Sequence, residues 1–222
     1  MSPFRSNQPF FSLLQYAPRG TSETSKQSCR VVHAIKANAN VKVQGKTVNI
    51  ISYTAGRASE IIASGDTTLT ACLGSNVLLI PMPRSSLQKP GALWPSLVIC
   101  EALKAEGLGA EINPCLKRTV PVQRAATAAP GHRPDPIDHY NSMAVERDSL
   151  LVPEQITIVD DVITRGSSFV GVFPRIEDAF PGVPISCFAV VRTISEGDID
   201  AILDPVEGVI TSEDGEKLRR RP

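Results

Sequence analysis

Residues 156–168 read Ile-Thr-Ile-Val-Asp-Asp-Val-Ile-Thr-Arg-Gly-Ser-Ser, and no other stretch restricts the fold as much. A mainly apolar run that stops at two adjacent acids predicts a strand buried on both faces. A glycine followed by hydroxyl residues predicts the start of a helix. Strand, tight turn and helix form the unit of a parallel α/β sheet. Each part of the turn also has a chemical use. Backbone N–H groups at a helix N-terminus, uncovered because Gly166 has no side chain, donate to a phosphate monoester. The hydroxyls of Thr164, Ser167 and Ser168 add donors to the same oxygens. Asp160 and Asp161, just before them, accept hydrogen bonds from paired ribose hydroxyls, and their negative field favours an oxocarbenium-like sugar. A phosphate at one end and a diol at the other describe ribose 5-phosphate.

A second unit of the same kind precedes it. Val77–Ile80 is a compact apolar run that stops at Pro81. The loop Pro-Met-Pro-Arg-Ser-Ser follows, and Pro95 opens a helix that ends at Gly107. Residues 76–196 are accordingly read as the α/β core, with a parallel sheet flanked by helices in a Rossmann-like arrangement. Residues 1–28 read as a peripheral N-terminal segment, with a polar loop over Gly20–Ser28. Residues 29–75 read as a small β-rich appendage or hood: strands at Arg30–Ile35, Val41–Val43 and Val48–Tyr53, a tight turn at Gly45, and a short helix at Arg57–Ala63. Ile112–Leu116 is an edge strand because it contains Pro114. Residues 119–140 show no sustained periodicity, which in a compact domain marks a functional or mobile loop. Pro174 predicts a kinked helix or two short ones over Phe169–Phe180. Ser186–Val191 reads as the last core strand, and residues 197–222 as a C-terminal extension whose Arg219–Arg221 cluster is solvated.

The segment 156–168 resembles the phosphoribosyl-pyrophosphate (PRPP) motif of type I phosphoribosyltransferases. That resemblance implies that Asp160 and Asp161 hold the ribose hydroxyls, and that Val162 and the turn Thr164, Arg165, Gly166, Ser167 and Ser168 hold the remainder of PRPP and its 5′-phosphate. Arg165 stands where family members often have a small residue. The loop with Pro83, Arg84, Ser85 and Ser86 resembles the pyrophosphate loop, with Arg84 as the cation that meets the leaving diphosphate. Residues 119–140 match the position of the family's flexible loop, which closes over PRPP and excludes water. Arg118, Arg124, His132 and Arg133 are its candidate pyrophosphate contacts. Mg²⁺ is the implied cofactor, carried by PRPP oxygens and met by Asp160 and Asp161 rather than by a protein site of its own. The implied partners are PRPP and a nitrogen acceptor. Thr164 occupies the position of the base carboxylate of purine-salvage members, which argues against hypoxanthine or guanine. Leu-Lys-Arg-Thr-Val-Pro-Val-Gln-Arg at 116–124 is most similar to the ComF-like group, although the paired cysteines of that group's N-terminal zinc element are absent. The resemblance implies a pentosyl-transfer enzyme. The alternative is a PRPP-sensing or regulatory module without turnover, associated with competence or DNA uptake.

Composition limits the other classes. Lys plus Arg and Asp plus Glu are 23 each, so no overall field draws nucleic acid or an anionic membrane. The five cysteines are dispersed without a C-x-x-C pair, which predicts packed free thiols in a reducing compartment. His33, His132 and His139 are too far apart in sequence to suggest a metal site. No run reaches the roughly 18 apolar residues of a membrane span, and the first residues lack the charged start of a signal peptide. These features predict a cytoplasmic protein, with a homodimer as the candidate assembly.

Overall fold

The computed structural model describes residues 3–123, 134–146, 153–212 and 218–222. In chain order the elements are β1 (Asn7–Tyr16), α1 (Glu23–Ala37), β2 (Asn40–Val43), β3 (Lys46–Asn49), α2 (Ile50–Ala63), β4 (Val77–Pro81), α3 (Pro95–Ala105), β5 (Glu111–Ile112), β6 (Leu116–Arg118), α4 (Pro136–Asn141), β7 (Met143–Val145), β8 (Gln155–Ile163), α5 (Ser167–Ala179), β9 (Ile185–Thr193), β10 (Leu203–Thr211) and β11 (Arg219–Arg221). A seven-stranded sheet runs β11-β10-β1-β9-β8-β4-β5. Its section β1-β9-β8-β4-β5 is parallel, and β10 and β11 close one edge antiparallel. The fold is thus mixed α/β and compatible with the Rossmann-like expectation.

Both faces of the sheet are covered. On one, α1, α2 and α3 pack Val32, Ile35, Ala55, Ile99 and Leu103 against Leu13, Leu79, Val159 and Phe188. On the other, α5 packs Phe169, Val172, Phe173 and Ile176 against Phe10, Ile80, Ile158 and Cys187. Successive strand residues alternate between the two cores, which is why the central strands are continuous apolar runs. Cys72, Cys100, Cys115 and Cys187 are buried free thiols and Cys29 is a half-buried one. Burial pushes the Cys115 thiol up to about 11 and Cys187 to about 12, so neither presents a reactive thiolate at neutral pH.

The N-terminal third departs from expectation. The segment read as peripheral contains β1, which lies inside the sheet between β9 and β10, with Phe10, Phe11, Leu13 and Leu14 buried. Gly20–Ser28 and Arg30–Ile35 fall largely within one helix, α1, started by the Ser22 side chain accepting from the Ser25 N–H. Of the strands expected in the appendage only the hairpin β2–β3 is formed, and the helix expected at Arg57–Ala63 is the second half of α2. Val48–Tyr53 crosses into α2, whose N-cap Asn49 accepts from the N–H groups of Ile51 and Ser52. The β-branched start of α2 resembles a strand by composition, but the cap and the buried face Ile50, Ile51, Thr54, Ala55, Ala58 select the helix.

Later departures are smaller. Ile112–Leu116 is split between β5 and β6, with Pro114 in the gap where a ladder N–H would be needed. Of the two alternatives around Pro174, a single helix is formed, α5, with Pro174 inside it. The segment read as a solvated tail adds β10 and β11 to the sheet. Among the described residues, no helix is long and apolar enough to cross a membrane.

Candidate functional site

The chain leaves β4 towards β5 on one side and leaves β8 towards β9 on the other, yet β4 and β8 are neighbours. Their connections diverge, which makes the carboxyl ends of β4 and β8 a topological switch point, the usual place of a ligand crevice in an open α/β sheet. The β4–β8 ladder ends at the pair Pro81 and Val159, and the Met82 N–H donates to the Val159 carbonyl at 2.8 Å. Asp160 and Asp161 are the next residues of β8, which continues beside β9 alone. The two acids therefore stand at this switch point.

Both are half-buried. The Asp160 carboxylate accepts from the Asp161 N–H at 2.9 Å and from the Ser96 hydroxyl at 3.3 Å. The Asp161 carboxylate accepts from the Val162 N–H at 2.8 Å. Burial and the neighbouring Asp161 charge raise the Asp160 pKa well above the ordinary carboxylate value, while the Asp161 N–H and Lys36 pull it back. A pair of carboxylates in this state gains from any cation or hydroxyl donor that reaches it. Their oxygens are of the hard type that Mg²⁺ takes. Among the described residues there is no cluster of three or more metal-ligating side chains. Asp160 and Asp161 would hold the ion only together with oxygens of a bound phosphate.

The turn after β8 begins with Thr164, whose hydroxyl lies 3.2 Å from that of Thr193. Arg165 reaches Asp135 at 3.9 Å across the surface. Gly166 caps α5 in the left-handed region, at φ 90°, with no side-chain cap. A Cβ there would lie 2.5 Å from Ile210 Cδ1, so both the backbone angle and the space demand glycine. The first-turn N–H groups, those of Ser167, Ser168 and Phe169, have no intrahelical acceptor by the geometry of any helix start. Ser167 is buried and Ser168 half-buried. The helix N-terminus and the predicted hydroxyls thus share one turn.

Across the switch point the loop after β4 carries Pro83, Arg84, Ser85 and Ser86. Its shape is fixed by neighbours: the Trp94 indole N–H donates to the Met82 carbonyl at 2.7 Å, and the Val122 N–H donates to the Ser85 carbonyl at 2.8 Å. Arg84 donates to the Leu93 carbonyl at 3.0 Å, so its guanidinium is tied to its own loop. Arg118, expected in the flexible loop, is a strand residue of β6 and only 8% exposed. It donates through Nε to the Arg84 carbonyl at 3.0 Å and through Nη1 to the Ser142 hydroxyl at 2.6 Å. Burial lowers its pKa to about 10 and the Asp160 charge opposes that shift, so Arg118 stays cationic and within the field of the acid pair. His139, in α4, is pushed down to about 4 by burial and by Arg118, and is neutral. Arg124, His132 and Arg133 lie outside the described residues.

Sequence reasoning did not single out Ser96, Trp94 or Ser142, and it read Arg220 as part of a solvated cluster, whereas the residue is half-buried. Pro95 did mark the start of α3, and a hydroxyl residue at its second position was the available signal for Ser96. Arg220 is bonded to the turn after β8, through the Thr164 carbonyl at 2.8 Å. No protein-family model matches the chain and no curated protein matches it.

Proposed function

We propose that the chain binds PRPP with Mg²⁺ in the β4–β8 crevice and transfers its 5-phosphoribosyl group to a nitrogen acceptor, releasing pyrophosphate. The observation that carries this reading is the convergence at one topological switch point of an acid pair, a glycine-capped helix start and a proline-bounded loop braced by a buried arginine. A phosphorylated sugar that bears a second anionic group matches those three features in order. The turn 164–168 takes the 5′-phosphate through backbone and hydroxyl donors. Asp160 and Asp161 take the ribose hydroxyls. The loop 83–86, with the Arg118 charge behind it, takes the diphosphate.

The chemistry asked of the residues is modest. The C1–O bond to the diphosphate breaks with its electron pair leaving on oxygen, the acceptor nitrogen forms the new bond at C1, and the nitrogen releases a proton. Bound Mg²⁺ would neutralise diphosphate charge. The acid pair stabilises positive charge on the sugar, and fixed donors hold both phosphates without reorganising. Incubation with PRPP, Mg²⁺ and a panel of nucleobases and amines should release pyrophosphate, and Asp160→Asn with Asp161→Asn should lower that rate at least about 100-fold. Absence of pyrophosphate release with every acceptor, together with absence of PRPP binding, overturns the reading.

One observation favours the sensing alternative: Arg84, the expected cation for the leaving group, is turned onto the Leu93 carbonyl. PRPP binding by calorimetry without turnover on any acceptor would select that reading.

A further inference from the structure

The end of the described chain returns to the anion-binding turn. Strand β11 pairs with β10 so that Arg220 stands opposite Ile210, the same side chain that a Cβ on Gly166 would strike. From there the Arg220 guanidinium spans two strand ends. Its Nε donates to the Thr164 carbonyl at 2.8 Å and its Nη2 donates to the Thr193 carbonyl. Thr164 and Thr193 are also joined through their hydroxyls. The guanidinium lies 5.5 Å above the Phe10 ring, which holds its plane in place.

Two properties make this more than an edge contact. First, both acceptors are neutral carbonyls, and among the described residues no carboxylate forms an ion pair with Arg220. Its Nη1 is enclosed and has no hydrogen-bond partner among the described residues. Burial lowers the Arg220 pKa to about 10, and the nearby Arg192, 3% exposed and paired with Asp204, contributes to that shift. A half-buried cation whose acceptors among the described residues are neutral carbonyls is favoured when an anion binds nearby. Second, C=O and N–H point in opposite directions across a trans peptide. By holding the Thr164 carbonyl, Arg220 fixes the Arg165 N–H on the far side of that peptide, one residue before the glycine cap.

We infer that Arg220 is a positioning residue for phosphate recognition: it clamps the Thr164–Arg165 peptide so that the turn presents its N–H groups to a sugar 5′-phosphate, and its charge is balanced by that phosphate. The inference rests on the phosphoribosyl reading and assigns its anion subsite to a bracket supplied by the C-terminal strand. It requires no direct contact between Arg220 and the ligand.

The test compares two ligands in the full chain. Ribose 5-phosphate probes the turn, and Mg²⁺-pyrophosphate probes the loop across the crevice. By calorimetry, Arg220→Gln should weaken ribose 5-phosphate roughly tenfold or more, the scale of one charge-assisted contact, and leave Mg²⁺-pyrophosphate within about twofold. Arg220→Lys keeps the charge without the planar fork and should fall between. A general loss of stability would weaken both ligands together, so the split separates clamping from folding. Should Arg220→Gln not fold, Arg220→Lys alone decides: wild-type affinity for ribose 5-phosphate overturns the clamp. Wild-type affinity in Arg220→Gln overturns it equally. Failure of the wild-type protein to bind ribose 5-phosphate and PRPP overturns the phosphoribosyl reading itself, and the clamp with it.

Discussion

The two banks of the β4–β8 switch point present donors by different means. On the β8 bank the working surface is backbone: Gly166 at φ 90°, the first turn of α5, and a peptide held from behind by Arg220. On the β4 bank the loop is shaped by side chains acting as struts. Trp94 holds the Met82 carbonyl, and Arg118 links the Arg84 carbonyl to Ser142. A backbone cradle tolerates side-chain changes at most of its positions but fails when its one left-handed residue changes. A strutted loop should weaken by degrees as struts are removed, because each contributes one or two hydrogen bonds. Variants can therefore uncouple the banks.

The largest effect is expected from Gly166→Val. The β-branched side chain is strained at positive φ and its Cβ would stand 2.5 Å from Ile210 Cδ1, so a stability loss of about 2 kcal/mol or more is expected by chemical unfolding. Ribose 5-phosphate binding should be lost in the folded fraction while Mg²⁺-pyrophosphate still binds; loss of both ligands would mean the banks are not independent. Arg118→Met should do the reverse. It leaves the Arg84 carbonyl and the Ser142 hydroxyl short of a donor, with about 1–3 kcal/mol lost to unfolding, and should weaken Mg²⁺-pyrophosphate more than ribose 5-phosphate. Equal weakening of the two would place Arg118 outside the loop's function.

The smallest effect concerns pH. Because the Asp160 pKa is raised on folding, the proton it retains favours the folded state. Stability from this group is full below the unfolded carboxylate pKa, about 4, and declines as pH rises through the folded value. Asp160→Asn should accordingly raise the melting temperature at pH 7, with the gain shrinking as pH approaches about 4. A variant that is less stable than wild type at pH 7 would mean that Asp160 is stabilised as an anion, as a structural rather than a ligand-directed group would be.

The parts of the fold that were readable in sequence are those whose signal is local. Val77–Ile80 and Ile156–Val159 are continuous apolar runs because both faces of each strand are covered, and the residues after each lie at the switch point. The misread parts carry signals that depend on distant partners. Strand β1 contains Gln8 and Ser12, which look like surface residues but are buried, Gln8 against the Cys187 thiol. Helix α1 buries Ser25 and Ser28 along with Val32 and Ile35, so two positions of its inward stripe are polar and the helical period is masked. Ser25 is accommodated because Asp198 accepts from its hydroxyl and from the N–H groups of Thr21 and Ser22, a partner more than half the chain away in sequence. Arg118 shows the same limit at the site. Its neighbours in sequence suggest a solvent loop, whereas the side chain is enclosed by Arg84 and Ser142 from other segments.

The placement of β1 has a consequence for how the molecule assembles. Strand β1 waits for partners far along the chain: the bond between Gln8 and Cys187 spans 179 residues, and the neighbour on the other side is β10. Until both arrive, its aromatic and aliphatic side chains have no sheet to enter, and the chain carries an unprotected β-prone segment. Contacts of such long range slow folding and lengthen exposure to aggregation. Refolding from denaturant should therefore show a slow final phase in which β1 amides gain hydrogen-exchange protection together with β9 and β10, after the β4–β8 pair is already protected.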